Sequence, residues 1–460
     1  MSAERLGSLT NDELLKRNVG VNLAAWALPA IAALASFPVL ARGLGEERFG
    51  LLAFAWGAVG IFSLVDFGIG RALTRLVSVR LTSGDERDVA DLVWAASWTL
   101  LTLTSLFTIA GLTLAPWIVR SVMHVPPEHH VEAIGVLRLL AIAMPLLAHG
   151  SALRGVLEAG QRFSLSARLR VPLGIVTYAG PLLAIPLGGD ARIAVGIIVA
   201  GRVLYWLALF PAIATVVPGV AWPRRPTVAA LRDLATVGGW ITVFNIIGPV
   251  FAFGDRMAVV AAFPIAASGW YATAAEVATK QFLFTAALQP VLYPALAASY
   301  VPDPERAVVL MARATRVTAL VLFPASFVLC AFAAPLLAFW MGSAFSPVAA
   351  SVLPWLAIGV FVNALAQVPI AMLQGAVDAR AAGVMSLIEL PAFLLMLWLL
   401  GSAFGIRGVA LAWLGRSALD AAGMWMLMAW RFPASRPLAR RTAGYGLAAV
   451  AVLVVVALTR

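Results

Sequence analysis

Ionisable side chains lie inside apolar stretches of this chain. Two pairs, Asp255–Arg256 and Glu276–Lys280, flank a turn predicted near Pro264–Ser268. An ionised group in hydrocarbon is costly unless it pairs with a countercharge or faces water, so all four are candidates for function. The two pairs are about equally far from the turn, which places them at a similar depth along two helices. Either they neutralise each other and lock a helical hairpin, or they contact a charged substrate.

Two arginines lie near the middle of predicted helices. Arg202 is in the sixth helix, and Arg416 has the equivalent place in the twelfth. Arginine keeps its charge and binds two phosphate or carboxylate oxygens at once, so the pair predicts the lining of a passage for an anionic cargo. The alternative for Arg416 is a structural ion pair with Asp420, four residues further along the helix. Arg202 has no acid within one turn of its own helix.

The candidate site residues form two sets. The substrate-cavity set is basic and comprises Arg202, Arg416, Arg256, Lys280 and Arg71. The second set is acidic or paired, and its carboxyls could carry H⁺, bind Na⁺ or neutralise a neighbouring cation. Its members are Asp66, Asp255, Glu276, Glu389 and Asp420. No catalytic residue, cofactor or metal site is predicted.

Composition places the chain in a membrane. Of its 460 residues, 62% are hydrophobic and 12% are charged, whereas soluble domains carry about twice that charged fraction. Apolar runs of about 20 residues recur from end to end, which is typical of an all-α polytopic membrane protein. The net charge of +11 does not predict nucleic-acid binding, because the basic residues flank helices on one side of the membrane.

Twelve spans and one further C-terminal helix are predicted. Their approximate bounds are 19–41, 49–71, 92–119, 134–156, 169–187, 192–217, 235–262, 268–298, 314–340, 349–373, 383–401, 404–430 and 442–458. With the N-terminus in the cytoplasm, the cytoplasmic segments hold 22 Lys and Arg residues and the outer turns hold six. The positive-inside rule therefore predicts this orientation. Whether the last helix crosses the membrane stays open.

The second half of the chain repeats the first at an offset near 219 residues. The matching positions, in chain order, are Gly50 and Gly269, Ala115-Pro116 and Ala334-Pro335, Arg162 and Arg380, Pro172 and Pro391, and Gly201-Arg202 and Gly415-Arg416. Each half has six predicted helices, so both enter from the same side as parallel repeats. This is a known transporter design and suggests alternating access.

Five segments follow from the spans and the repeat. They are a cytoplasmic N-terminal segment at 1–18, an N-terminal six-helix bundle at 19–217, a cytoplasmic linker at 218–234, a C-terminal six-helix bundle at 235–430, and a basic segment with a C-terminal helix at 431–460.

Short motifs in both halves resemble a known family. The first half has LGEERFG at 44–50 and DFG at 66–68; the second has Asp255-Arg256, GWY at 269–271 and PVLYP at 290–294. In this order they resemble the Wzx-like polysaccharide-export flippases of the MOP superfamily, over about Lys16 to Arg431. The fold that this resemblance implies is two parallel-repeat six-helix bundles, with an extra C-terminal helix here.

The resemblance also implies a function. Such a protein lies in the bacterial inner membrane and moves polyprenyl-diphosphate-linked oligosaccharide from the cytoplasmic to the outer leaflet, for O-antigen, capsule or exopolysaccharide synthesis. Its implied partners are this cargo, membrane lipids and a polysaccharide polymerase, with H⁺ or Na⁺ coupling open. Asp66 and Arg71 lie toward the cytoplasmic end, where a diphosphate would first be captured.

Two other functions compete with this one. A MATE-type ion-coupled small-molecule or drug antiporter predicts a cavity dominated by acids that bind cations, whereas Arg202 and Arg416 favour an anionic cargo. A membrane enzyme of glycan assembly predicts a large outer loop, and all the predicted outer loops are short. The chain has no Walker A motif, so energy would come from an ion gradient or from consumption of the product.

Overall fold

The computed structural model describes residues 12–64, 66–83, 89–217, 219–220, 222–300, 303–344, 346–377 and 379–459. It does not describe the side chains of 12–26, 82–83, 237–246, 290–291, 293–295, 297–298, 343, 375–376, 379–380 and 382. Most of the predicted N-terminal segment and the side chain of Arg380 therefore lie outside the described part. Within that part the backbone is almost entirely helical, as expected for the predicted all-α fold.

Seven helices form most of the first half. They are α1 (Asp12–Leu44), α2 (Glu46–Leu64), α3 (Ile69–Ser83), α4 (Val89–Trp117), α5 (His130–Ala159), α6 (Phe163–Ala179) and α7 (Ala191–Ala214). A π-helical turn, Ile118–Val122, follows α4, and a 3₁₀ segment, Gly180–Leu187, extends α6.

Eight helices follow. They are α8 (Val228–Ala262), α9 (Ile265–Thr279), α10 (Phe282–Tyr300), α11 (Pro304–Ala331), α12 (Ala333–Met341), α13 (Pro347–Met372), α14 (Ala379–Arg431) and α15 (Arg436–Thr459). α14 holds two predicted spans, because Gly405 interrupts it with φ 62° and ψ −142°. Glycine adopts this positive φ without steric cost, and the chain turns there.

Ten helical stretches of the described part are long and apolar enough to cross a membrane. One of these, Gly383–Arg431, contains the turn at Gly405. The C-terminal stretch, Pro433–Thr459, is also among them, so the predicted extra helix has the length of a span. The prediction of a polytopic helical membrane protein is confirmed.

Three predicted spans are not single helices. The span 49–71 is divided between α2 and α3, 268–298 between α9 and α10, and 314–340 between α11 and α12. The prediction of continuous helices was wrong at these three places. Apolar composition does not show where the hydrogen-bond pattern of a helix is interrupted. At the second break, the Lys280 and Gln281 N–H groups donate to the carbonyls three residues back, at 3.3 Å each.

The first break has a clear local cause. The Asp66 carboxylate accepts a hydrogen bond from the Gly68 N–H at 3.0 Å, which offers the backbone an alternative to the helix. Phe67 has φ 51°, a left-handed conformation that is uncommon for an aromatic residue. The Phe67 ring stacks on Phe107 with centroids 5.7 Å apart, and this contact helps to hold the turn.

The chain divides into two compact units. The first extends to Gly254 and includes Pro264–Gly269, and the second comprises Asp255–Phe263 and Trp270–Arg460. In the first unit α5 is central, because it packs against α2, α3, α4, α6 and α7. Leu73, Leu92, Leu153 and Ile213 contribute to the core where α3, α4, α5 and α7 meet.

In the second unit α13 has the corresponding place. It packs against α10, α11, α14 and α15. α5 begins at residue 130 and α13 at residue 347, so the central helices are 217 residues apart. This spacing matches the repeat offset. Within the first unit, the repeat-equivalent glycines also approach each other: a Cβ on Gly269 would lie 3.4 Å from the Gly50 nitrogen.

Candidate functional site

Arg202 lies on α7 with its side chain partly buried. Its Nη2 donates to Thr177 Oγ1 on α6 at 3.3 Å, and its buried Nε has no hydrogen-bond partner among the described residues. Tyr178 and Tyr205 are within electrostatic range of the guanidinium. A buried cation with an unused donor is poised to accept an anion.

Two further arginines join Arg202. Arg154 on α5 and Arg170 on α6 both lie within electrostatic range of Tyr205, as Arg202 does. We call Arg154, Arg170 and Arg202 the arginine group. Glu158 is the acid near it and lies 3.5 Å from Arg154 Nε. Among the described residues, three cations and one nearby acid therefore lie together.

Sequence reasoning missed Arg154 and Arg170 as site residues. Both fall near the predicted cytoplasmic ends of their helices, where positive-inside charge accounted for them. Arg168, on the same helix as Arg170, is exposed, whereas Arg170 is partly buried.

Aromatic rings lie beside the arginine group. Trp56 on α2 donates its indole N–H to the Thr177 carbonyl at 2.9 Å, and its ring centroid is 5.5 Å from that of Tyr178. Phe37 also stacks on Trp56, with ring centroids 4.8 Å apart. Trp56 and Tyr178 are partly exposed, so ring surface remains available next to Arg202.

His149 is a satisfied packing residue. Trp206 donates its indole N–H to His149 Nδ1 at 3.0 Å, so the proton of the neutral imidazole lies on Nε2. Nε2 then donates to Ser97 Oγ at 2.8 Å, and Ser97 donates to the Val93 carbonyl at 2.7 Å. Every polar atom of the imidazole has a partner, as expected for a core histidine.

The second unit buries three carboxyls and one of the predicted arginines. Asp255, Glu389 and Asp420 are 4%, 3% and 6% exposed. Arg416, itself 6% exposed, lies within electrostatic range of all three. We call Asp255, Glu389 and Asp420 the carboxylate group.

Two members of the carboxylate group are held by hydrogen bonds. Asp255 Oδ2 accepts from the buried Tyr271 hydroxyl at 2.7 Å. Asp420 Oδ2 accepts from Asn363 Nδ2 on α13 at 3.3 Å. Asn363 accepts in turn from Gln367 Nε2 at 3.1 Å, so a polar chain extends along the central helix.

Glu389, the third member of the carboxylate group, accepts no hydrogen bond from the described residues. Both of its carboxyl oxygens are buried and lack hydrogen-bond partners among the described residues. Asp420 and Arg416 are nearby charges. Buried carboxyl oxygens normally have hydrogen-bond donors, so this side chain is a candidate for function.

Arg202 and Arg416 therefore share a repeat position but not an environment. Arg202 belongs to a group of arginines, whereas Arg416 lies within electrostatic range of three carboxyls. The Arg416 guanidinium also lies 5.9 Å from the Trp413 ring centroid. Sequence symmetry alone could not show this difference.

The remaining predicted residues fall into separate places. Lys280 and Glu276, four residues apart, form an ion pair at the break between α9 and α10. Neutralisation across the hairpin, between this pair and Asp255–Arg256, stays a prediction. Arg256 is partly buried and lies within electrostatic range of Tyr271. Asp66 is buried at the break before α3, and Arg71 is exposed one turn later.

No cluster of His, Cys, Asp or Glu with the arrangement of a metal site occurs in the part of the chain that was described. The buried thiol of Cys330 is free. The two groups defined above are therefore the candidate sites, one basic and one acidic, each within its own unit.

Comparison with known proteins identifies the family. The model of the family described as "Polysaccharide biosynthesis protein" matches residues 39–350. A curated protein of Shigella flexneri, described as "Putative O-antigen transporter", is 26% identical over 414 residues, which is 89% of this chain and 96% of that protein.

Solved structures show the same fold. A structure described as the inward-facing conformation of a multidrug resistance MATE family transporter of the MOP superfamily has a TM-score of 0.73 at 14% identity, covering 90% of this chain and 98% of that one. A MOP superfamily transporter from Pyrococcus furiosus has a TM-score of 0.63 at 15% identity, covering 91% and 95%. These relatives are transporters, which agrees with the prediction that the chain is not an enzyme. The chain therefore belongs to the polysaccharide biosynthesis protein family and has the fold of the MOP-superfamily transporters, as its motifs predicted.

Proposed function

We propose that this transporter moves polyprenyl-diphosphate-linked oligosaccharide from the inner to the outer leaflet for O-antigen, capsule or exopolysaccharide synthesis. The observation that carries the proposal is the arginine group, in which three guanidinium groups come from three contacting helices and one of them, that of Arg202, has an unused donor among the described residues. The described similarity to an O-antigen transporter supports the same class of cargo.

The physical problem is the diphosphate, because the lipid tails can stay in hydrocarbon. Guanidinium groups can replace the water that a diphosphate loses, and each can bind two oxygens. A hydrogen bond to a charged group contributes about 1.5–3 kcal/mol, which is about tenfold or more in affinity. With the arginine-rich helix ends in the cytoplasm, a cargo that enters from the cytoplasmic side would meet Arg154 and Arg170 before Arg202.

The neighbouring rings suit the sugars. Trp56, Tyr178 and Tyr205 lie around Arg202 and are only partly buried. A sugar ring presents C–H groups to the face of an aromatic ring and hydroxyls at its edge, so stacking and hydrogen bonding act together. We propose that the sugar nearest the diphosphate contacts these rings.

We further propose that Glu389 carries the coupling ion and that this ion is H⁺. A single carboxyl without hydrogen-bond partners can take up a proton, whereas Na⁺ needs several oxygen ligands in one place. The prediction left H⁺ and Na⁺ open, and the absence of hydrogen-bond donors to Glu389 among the described residues favours the proton. Asp255 and Asp420, which accept hydrogen bonds, would hold Arg416 in place.

The arrangement in the membrane is part of the same proposal. The distribution of Lys and Arg supports an inner-membrane protein with its N-terminus in the cytoplasm. The predicted bundles 19–217 and 235–430, joined by the linker 218–234, would be the two halves of an alternating-access transporter. A polymerase on the far side would then consume the flipped cargo. The MATE-type alternative requires a cationic cargo, which the arginine group would repel.

Binding of a short-chain analogue tests the arginine group. The purified protein would be titrated with a farnesyl-diphosphate-linked disaccharide, as would the variant Arg154→Gln, Arg170→Gln, Arg202→Gln. We expect the triple variant to bind at least tenfold more weakly. The matched control replaces the exposed Arg75, Arg162 and Arg168 with glutamine and should bind like the native chain. Equal weakening in both triple variants would reduce the arginine group to a contribution of general charge and contradict the proposal.

A further inference from the structure

The second unit has an exposed basic surface where α11 and α15 begin. The two helices are neighbours and run in the same direction. Near their first residues, Ala307 and Met311 share a core cluster with Leu438 and Ala439. Further along, Leu322 shares another cluster with Leu453.

Six exposed arginines line these two helix starts. They are Arg306, Arg313 and Arg316 on α11, and Arg436, Arg440 and Arg441 on α15. Because the helices are in register from their starts, the two sets lie at the same end of the unit. We call these six residues the basic surface.

Few acids are available to neutralise the basic surface. The chain has no Asp or Glu from Ala421 to its end, and α11 has only Glu305. Asp303, just before α11, accepts from the Arg306 backbone N–H at 2.9 Å and so caps the helix. Arg436 Nε donates to the Ala429 carbonyl, a neutral group. The surface therefore keeps a strong positive charge.

Aromatic and apolar side chains place this surface at a membrane boundary. Trp430 and Tyr445 are 65% and 76% exposed, and the Arg431 guanidinium lies 4.3 Å from the Trp430 ring centroid. Exposed Trp and Tyr side chains are enriched where hydrocarbon meets headgroups. Further from the helix starts, Leu320 on α11 and Leu447 on α15 are exposed apolar side chains.

We propose that the basic surface binds an anionic phospholipid of the adjacent leaflet. The phosphodiester would contact arginines of both helices, and the acyl chains would lie along the exposed apolar sides of α11 and α15. Charge alone would fit a soluble phosphate equally well, but the exposed apolar side chains further along both helices favour a lipid. Such a lipid would bridge the two helices and hold α15, of which only Thr442 and Leu453 are buried, against the unit.

The inference is independent of the cargo. It rests on residues of the second unit that belong neither to the arginine group nor to the carboxylate group. A chain that transports a different substrate would still bind this lipid, and a chain that lacks this lipid site could still flip the proposed cargo.

Thermal unfolding of the full chain in a neutral detergent tests the inference. Anything that binds only the folded state raises the unfolding temperature. We expect phosphatidylglycerol to raise it by several degrees, whereas phosphatidylethanolamine, inorganic phosphate and pyrophosphate should not. The variant Arg440→Gln, Arg441→Gln should lose at least half of that rise. The control Arg120→Gln, Arg407→Gln, which removes two exposed arginines elsewhere, should keep it.

Three results would overturn the inference: an equal rise with phosphatidylethanolamine, an equal rise with inorganic phosphate, or an undiminished rise in the Arg440, Arg441 variant. If this variant does not fold, Arg313→Gln with Arg316→Gln removes the α11 side of the same surface and must also reduce the rise. Lipid retained by the native chain and counted by native mass spectrometry provides a second measurement, and a lower count of phosphatidylglycerol is expected in either variant.

Discussion

Arg202 and Arg416 show that the neighbours of a side chain, and not only its residue type, determine the role proposed for it. Both are arginines at matching positions of a repeat, and the sequence predicts one role for both. Arg202 lies with Arg154 and Arg170, which suits an anion. Arg416 lies among three carboxyls, which suits a structural or ion-coupling role. We therefore assign the cargo to Arg202 and exclude Arg416 from the proposed diphosphate contacts.

Replacement of Arg202 should show whether its guanidinium is needed for cargo translocation. Arg202→Gln removes one guanidinium from the arginine group, and we expect cargo translocation to fall about tenfold, the equivalent of about 1.4 kcal/mol. Arg202→Lys should retain part of the activity, because the charge remains but the bidentate geometry is lost. Translocation rates per folded protein in vesicles are the measurement. Arg168→Gln is the control, and a loss as large in this variant would contradict the assignment.

Replacement of Glu389 should remove the dependence on protons. We expect Glu389→Gln, which resembles a permanently protonated carboxyl, to make the translocation rate insensitive to a pH gradient across the vesicle. Glu305→Gln, at an exposed position, should leave the dependence unchanged. A Glu389→Gln chain that still responds to the gradient would show that another group carries the proton or that transport is not proton-coupled.

The sequence could identify which charged residues are buried, but not which side chains lie next to them. Arg202, Asp255, Glu389 and Asp420 stand out because ionisable residues are rare in apolar runs. The neighbours that define their roles come from other helices, as with Asn363 beside Asp420. These contacts depend on helix rotation and register, which apolar composition does not fix when a helix is apolar on nearly every face.

At the scale of elements, Glu132 links three helices at one end of the first unit. Its carboxylate accepts from the Ala191 N–H at the start of α7, from Arg48 Nε at 3.1 Å, and pairs with His129 Nδ1 at 3.3 Å. A carboxylate at a helix N-terminus is stabilised by the N–H groups there. Next to it, hydrogen bonds from Arg192 hold the pKa of the Asp190 carboxyl below its ordinary value.

Loss of this carboxylate should loosen the unit. We expect Glu132→Ala to lower stability by about 1–3 kcal/mol, because it leaves the Ala191 N–H and Arg48 without their partner. Glu128→Ala changes an exposed acid four residues earlier and should stay within about 0.5 kcal/mol of the native chain. The unfolding midpoint of the purified protein is the measurement, and equal midpoints for the two variants would disprove a linking role.

The turn within α14 requires a second glycine, Gly408, in addition to Gly405. A Cβ at Gly408 would lie 1.7 Å from the Leu400 carbonyl oxygen, a backbone atom that cannot move away alone. We expect Gly408→Ala to reduce the yield of folded protein severely. Gly401→Ala is the control, because its Cβ would lie 3.6 Å from the Val409 side chain, an ordinary contact. Yields are compared by size-exclusion chromatography in detergent, and a normal elution profile for Gly408→Ala would contradict the geometry.

Helix existence was predictable, whereas helix breaks were not. Apolar runs located almost every span, including the C-terminal helix, because span length is set by bilayer thickness. The break at Asp66–Gly68 arises from one side-chain hydrogen bond and one left-handed residue. Those details are invisible to a window of apolar residues, although the DFG motif itself marked the place.

At the scale of the molecule, the repeat was the most informative sequence feature. It predicted two similar bundles, and the central helices α5 and α13 begin 217 residues apart. The two units nevertheless differ in buried charge: the first concentrates arginines and the second concentrates carboxyls. We infer that the two units have different roles: the first binds the anionic cargo, and the second takes up the coupling ion.

Reconstitution of the native chain tests this account most directly. Vesicles containing the purified protein would be loaded with lipid-diphosphate-linked oligosaccharide, and its appearance in the opposite leaflet would be followed with an impermeant sugar-modifying reagent. Parallel vesicles would be offered an organic cation. The account predicts translocation of the diphosphate-linked cargo that is faster than in protein-free vesicles, and no transport of the cation. Ion-coupled transport of the cation without movement of the oligosaccharide would contradict it and place the chain with the drug antiporters.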